Sequence, residues 1–205
     1  MRIDWVPYSA SALVAGATAL LAGALLMPTG EGGESLRIVQ EDGGRWLTVA
    51  SLYFFASVTL TLGVPAVLTL VDARSTRLAL AAAATFVVGC IGTAGYAALL
   101  VMVRALVLLG TIGEHDLDSL AGDAGLGVLL YGWVAAFYLG ELLLGIAFLR
   151  SRDVPRWWPS LLLAHVAALP LSAVLPSSVA PWTVLLTTVG LTGLGITANN
   201  HQLRV

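Results

Sequence analysis

Two residues of this chain, Glu141 and His165, are ionisable groups set deep inside apolar runs, where packing alone rarely explains them. Glu141 lies within Leu129–Leu149, LLYGWVAAFYLGELLLGIAFL, nine residues before Arg150. A helix of that length crosses the ~30 Å hydrocarbon core of a bilayer, and Glu141 falls near its middle. An ionised carboxylate there costs a few kcal/mol, so the side chain is either protonated or turned towards partners inside a bundle. His165 sits at matching depth in the next apolar run, eight residues after Trp157. The thiol of Cys90 is the one other ionisable group at that level. A carboxyl and an imidazole that meet there are a general acid and base in one place. They are also able to share a hydrogen bond that fixes helix register and nothing more. Glu141 and His165 are therefore the candidate catalytic residues, Glu141 as proton donor and His165 as the group that orients it or recovers the proton.

Aromatic residues surround this level. Phe137 and Tyr138 precede Glu141 by four and three residues and share its helical face with Val134. With Trp133, and with Tyr96 and Tyr53 on neighbouring runs, they offer π-faces able to stabilise a cation away from water. These five are the candidate substrate-binding residues; taken singly, each is also explained by packing, as are Phe54, Phe55, Phe86 and Tyr131. No aspartate-rich diphosphate motif, phosphate loop, nucleophile elbow or paired haem histidine is present, so neither a metal nor a cofactor is expected. Glu114, His115, Asp116, Asp118 and Asp123 lack the glycine turn and bidentate glutamate of a calcium loop and read as a solvated outer loop.

The elements that must position these groups follow from composition. With 58% hydrophobic and 11% charged residues and a mean hydropathy of +0.90, the chain is an all-α polytopic membrane protein in a single integral membrane domain, residues 1–205. A formal charge of -2 without a basic patch argues against nucleic acid. The lone Cys90 excludes an intrachain disulfide. Six spans are expected, at 9–27, 46–71, 78–104, 127–149, 157–175 and 181–198, the first retained rather than cleaved as a signal peptide. The third is expected to stop near Arg104, which would snorkel outward, with Ala105 to Ile112 continuing as a tilted or interfacial turn. Arg2, Arg74, Arg77, Arg150, Arg152, Arg156 and Arg204 then fall on one side and the carboxylate-rich loops on the other, placing both termini in the cytoplasm of a multi-pass plasma-membrane protein. Small residues at close spacing (Ala12 and Gly16; Ala81, Thr85 and Gly89; Gly190, Gly193 and Gly195) suit close helix contacts. Pro65 and Pro170 stand at equivalent places in two three-span halves, a layout found in transporters.

The hydropathy layout and the turn Leu149-Arg150-Ser151-Arg152-Asp153-Val154-Pro155-Arg156-Trp157 resemble those of small bacterial six-span membrane proteins of unassigned function. A buried acid among aromatics, without metal-binding aspartates, is similar to small integral-membrane terpene cyclases, including those acting on indole sesquiterpenes. That resemblance implies proton-initiated cyclisation of a lipophilic isoprenoid, with the bilayer and a hydrophobic small molecule as partners. Proton-coupled export of a hydrophobic compound and a non-catalytic membrane subunit are the alternatives.

Overall fold

Where no water is present to bond the backbone, an apolar run satisfies its own amides by forming a helix, and the long apolar runs of this chain do so. The computed structural model describes residues 4–28, 34–72, 75–172 and 179–202, and these hold eight α-helices and no strand. They are α1 (Val6–Leu26), α2 (Glu34–Glu41), α3 (Gly43–Leu68), α4 (Thr76–Leu108), α5 (Glu114–Ala121), α6 (Ala124–Leu149), α7 (Trp157–Ser172) and α8 (Val184–Gln202), the last preceded by a 3₁₀ turn at Ala180–Thr183. Among the described residues, five helices are long and apolar enough to cross a membrane: α1, α3, α4, α6 and the unit Ala180–Gln202. The described part of α7 has 16 residues, short of the roughly 20 that a span needs, and 173–175 lie outside the described residues.

Local chemistry moves several boundaries from their expected places. Asp42 caps α3 by accepting from Arg45 N at 3.3 Å, and Asp123 caps α6 by accepting from Leu126 N at 2.7 Å. Both helices therefore start three residues before the expected 46 and 127. The third run does not stop at Arg104. Its guanidinium Nε donates to the carbonyl of Gly43, the first residue of α3, at 2.8 Å, and α4 continues to Leu108. Gly110, at φ 66°, then ends it: Gly110 N bonds Val107 O and Thr111 N bonds Leu106 O, each at 3.0 Å. A residue with a side chain would be strained at that φ. The polar stretches expected as loops contain α2 and α5. Val39 of α2 is buried against Trp46, Val49, Leu100 and Val107, which is what holds this short helix down.

The six longer helices close a ring in which each touches its chain neighbour, α1–α3–α4–α6–α7–α8, and α8 returns to α1. Neighbours are antiparallel throughout. Trp46 Nε1 donates to Leu100 O at 2.8 Å across α3 and α4, and Thr188 Oγ1 donates to Ala17 O at 3.2 Å across α8 and α1. The α4–α6 crossing is a close one. A methyl group on Gly89 would overlap the backbone of Phe137, and one on Gly140 would overlap that of Phe86. Van der Waals contact at such crossings is the main attraction between helices in lipid. Of the small residues expected at interfaces, Gly16, Gly89, Gly190 and Gly193 lie at crossings, whereas Ala81 faces outward.

Pro65 interrupts α3, and α1 repairs the break. Ser9 Oγ accepts from Ala66 N at 3.1 Å and donates to Leu62 O at 2.6 Å, so a hydroxyl bridges the two ends of one helical turn. Arg77, Arg150, Arg152 and Arg156 gather at the end of the bundle where α1 begins and α8 finishes; Arg2, Arg74 and Arg204 lie outside the described residues. That end is solid, filled by Leu13, Leu60, Phe86, Leu144, Phe148 and Leu191. The other half holds a cavity beside a smaller core of Val39, Trp46, Val49, Ala50, Leu100 and Val107.

Candidate functional site

The boundary between the solid half and the half with the cavity is set by α6. Its face Gly140, Glu141, Leu144, Gly145 is buried, and the two glycines let α4 and α7 approach on either side. A side chain between them has nowhere to go but the bundle interior. Glu141 is accordingly 0% exposed. His165 of α7, 3% exposed, meets it there: Nδ1 lies 3.0 Å from Oε1 and 2.8 Å from Oε2. A ring N–H directed between the two oxygens of a carboxylate explains both distances. The pair expected from depth alone is thus in direct contact.

Tyr138 completes the floor. Its ring stacks on the imidazole, with centroids 5.1 Å apart and planes 28° apart. Phe137 meets Tyr138 edge-on at 6.0 Å and packs against Phe86 at 4.9 Å. These contacts leave the imidazole no rotational freedom. They also leave it one unused heteroatom. Nε2 is buried and bonds nothing among the described residues, a condition shared only by Thr187 Oγ1. Leaving such a group unsatisfied costs about 1–3 kcal/mol, so it calls for a partner.

Above the floor lies a cavity of about 510 Å³ to which all six ring helices contribute. Tyr53, Tyr96, Trp133, Phe137, Tyr138 and His165 all line it. The five aromatics singled out in the sequence therefore share one wall system with the histidine. Tyr53 and Tyr96 stand as a tilted pair at 6.0 Å, and Trp133 covers Gly92 and Gly95. Glu141 is absent from the lining and sits behind His165. A molecule in the cavity would touch the imidazole and not the carboxylate, which exchanges the two positions expected for them.

Two further lining residues, Tyr131 and Thr93, escape a reading based on single residues. Tyr131, Val134 and Tyr138 repeat at helical spacing along α6, and that periodicity is the signal that places Tyr131 on the same wall. Two threonines of α3 have local partners instead. Thr59 and Thr61 donate to carbonyls one turn back, at 2.7 and 2.8 Å. Cys90 is wholly buried, and its carbonyl accepts from Ser57 Oγ. Val88 faces outward. In the outer segment Asp116 accepts from Gly113 N at 2.8 Å and Asp123 caps α6, while the side chains of Glu114 and Asp118 lie outside what is described. No group of three His, Cys, Asp or Glu able to hold a metal ion occurs among the described residues.

Chemically, the arrangement is an acid–base pair at the bottom of an aromatic chamber. With one proton, on Nδ1, the imidazole presents a lone pair at Nε2; with two, it presents an N–H whose positive charge the carboxylate balances. With two protons on the imidazole the pair is neutral and with one it carries a single negative charge, so any proton it gives or takes is matched by a charge change in its occupant. No protein-family model, curated protein or solved structure matches this chain, and the site rests on the chain's own residues.

Proposed function

We propose that this chain is a six-span membrane enzyme with both termini in the cytoplasm, which cyclises a lipophilic isoprenoid epoxide or polyene by proton transfer. One observation carries the reading: five aromatic side chains and His165 line a single apolar cavity, with Glu141 directly behind the histidine. His165 is the group that meets the substrate and Glu141 the one that positions and balances it. The proton on Nε2 passes to the epoxide oxygen and the carbon–oxygen bond breaks. A carbon–carbon double bond of the chain attacks the resulting cationic carbon to close a ring. The last cationic carbon returns a proton to Nε2. Product and substrate have the same formula, and the pair ends as it began. During the step the cation lies among π-faces and away from water, which would otherwise capture it.

Purified protein in nanodiscs, supplied with epoxidised linear polyenes, is expected to yield cyclic isomers of unchanged mass on chromatography with mass spectrometry. Recovery of unreacted epoxide across a series of chain lengths would sink the reading. A second reading, proton-coupled export, is favoured by one feature: Pro65 and Pro170 lie inside α3 and α7, the middle helices of the halves α1, α3, α4 and α6, α7, α8. It predicts movement of an unmodified lipophile across proteoliposomes under an imposed pH gradient, and no isomer.

A further inference from the structure

The chamber is open to one side. Tyr131 and Val134 line it and are 77% and 47% exposed. They lie seven and ten residues into α6 from Ala124, about 10–15 Å below its outer end. An opening beside them at that depth meets acyl chains, since the hydrocarbon core is ~30 Å thick. A ligand arriving this way must already be dissolved in the bilayer. At about 30 Å³ per small non-hydrogen group, the volume of about 510 Å³ holds on the order of seventeen such groups. The lining is aromatic and aliphatic apart from a few hydroxyls, and at the floor the buried Nε2 of His165 lacks a partner among the described residues.

From this geometry we infer that the chamber binds a single-chain lipophile of about fifteen to twenty carbons bearing one terminal oxygen. It is admitted sideways from the bilayer past Tyr131 and Val134, and its oxygen bonds to Nε2 of His165. The inference names the substrate class of the function proposed above and rests on the same cavity. It is a statement about binding, so occupancy without turnover would leave it standing and sink the cyclisation alone.

The test uses the full chain in nanodiscs and a fifteen-carbon isoprenoid alcohol with a diazirine near its hydroxyl, followed by peptide mapping of the photo-adducts. Adducts are expected on Phe137 and Tyr138. Excess farnesol should suppress them about tenfold more effectively than the hydrocarbon of the same skeleton, the usual worth of one hydrogen bond. His165→Asn retains an amide at the Nδ1 position to hold Glu141 but has nothing at Nε2, and should erase that tenfold preference. Val134→Trp should slow labelling severalfold while thermal unfolding stays unchanged. Adducts confined to outward-facing residues such as Leu62 and Ile91, or equal competition by alcohol and hydrocarbon in the unaltered protein, would overturn the proposal. An unchanged labelling rate in Val134→Trp would overturn the sideways route.

Discussion

A histidine clamped between a carboxylate and a cavity has its two nitrogens assigned to separate tasks: Nδ1 is held by Glu141, and Nε2 is left for whatever enters. Substitutions at the two positions should separate chemistry from architecture. Glu141→Gln keeps a carbonyl oxygen for the ring N–H but removes the charge that balances an imidazolium. Turnover is expected to fall by at least about 10²-fold, the usual contribution of a general acid or base. Thermal unfolding should stay near that of the unaltered protein. Glu141→Ala instead strands a buried Nδ1 and should lower stability by about 1–3 kcal/mol as well. Both quantities can be read on one nanodisc preparation, by product formation and by thermal unfolding. Normal turnover in Glu141→Gln would end the acid–base role of the pair. At this scale the sequence was informative about height and silent about direction. Counting residues inward from Arg150 and Trp157 sets Glu141 and His165 level with each other, because rise per residue is constant in a helix. Which one faces the chamber depends on the rotation of α6 and α7 about their axes. That rotation is set by Gly140 and Gly145 against Phe86 and Leu163, contacts that no single run reveals.

At the scale of the element, two devices hold helices at fixed distances. The first is the Ser9 hydroxyl bridging Leu62 and Ala66 beside Pro65. Ser9→Ala should destabilise by about 1–2 kcal/mol, the loss of a buried hydrogen-bonded group. Pro65→Ala restores a backbone N–H, so the same serine change should cost clearly less in that background. Equal losses in both backgrounds, measured by thermal unfolding, would show that serine and proline act independently. The second device is the α4–α6 crossing. Gly140→Ala should lower stability by about 1–3 kcal/mol through overpacking, whereas Gly132→Ala, where nothing lies within 4 Å, should be neutral or slightly stabilising. The long helices were legible from their apolar runs, whereas the end of α4, expected near Arg104, falls at Leu108 just before Gly110. The short helices α2 and α5 were not. They carry too few apolar residues for their pattern to stand out, and α2 exists by virtue of Val39 meeting α3 and α4, a tertiary contact.

For the molecule as a whole, we propose the orientation that arginine placement favours. With the arginine-rich end in the cytoplasm, reporter fusions after Ser75 and Asp153 should read inside. Fusions after Gly43, Gly122 and Ser178 should read outside. The Ser178 fusion bears most directly on whether α7 crosses the bilayer, since α7 is the one ring helix whose described length falls short. An inside reading there would reduce the count to five spans and invert the carboxyl end. The division into a solid inner half and an outer half that holds the cavity then places the chamber nearer the outer leaflet, with the His165–Glu141 pair at its floor.

Because α8 packs antiparallel on α1, the chain describes a closed circuit, and a circuit has no obligatory starting point. The helices that begin and finish the chain do so at the same end of the bundle, beside the α3–α4 and α6–α7 turns. Joining those ends with a short flexible linker and cutting either turn would give a circular permutant that keeps every ring contact and every arginine on its original side. Such permutants should insert and unfold at nearly the temperature of the parent. A cut on the opposite end, in the α4–α6 connection, would ask a new amino terminus to cross the membrane first. Translocation, rather than packing, should be what fails there.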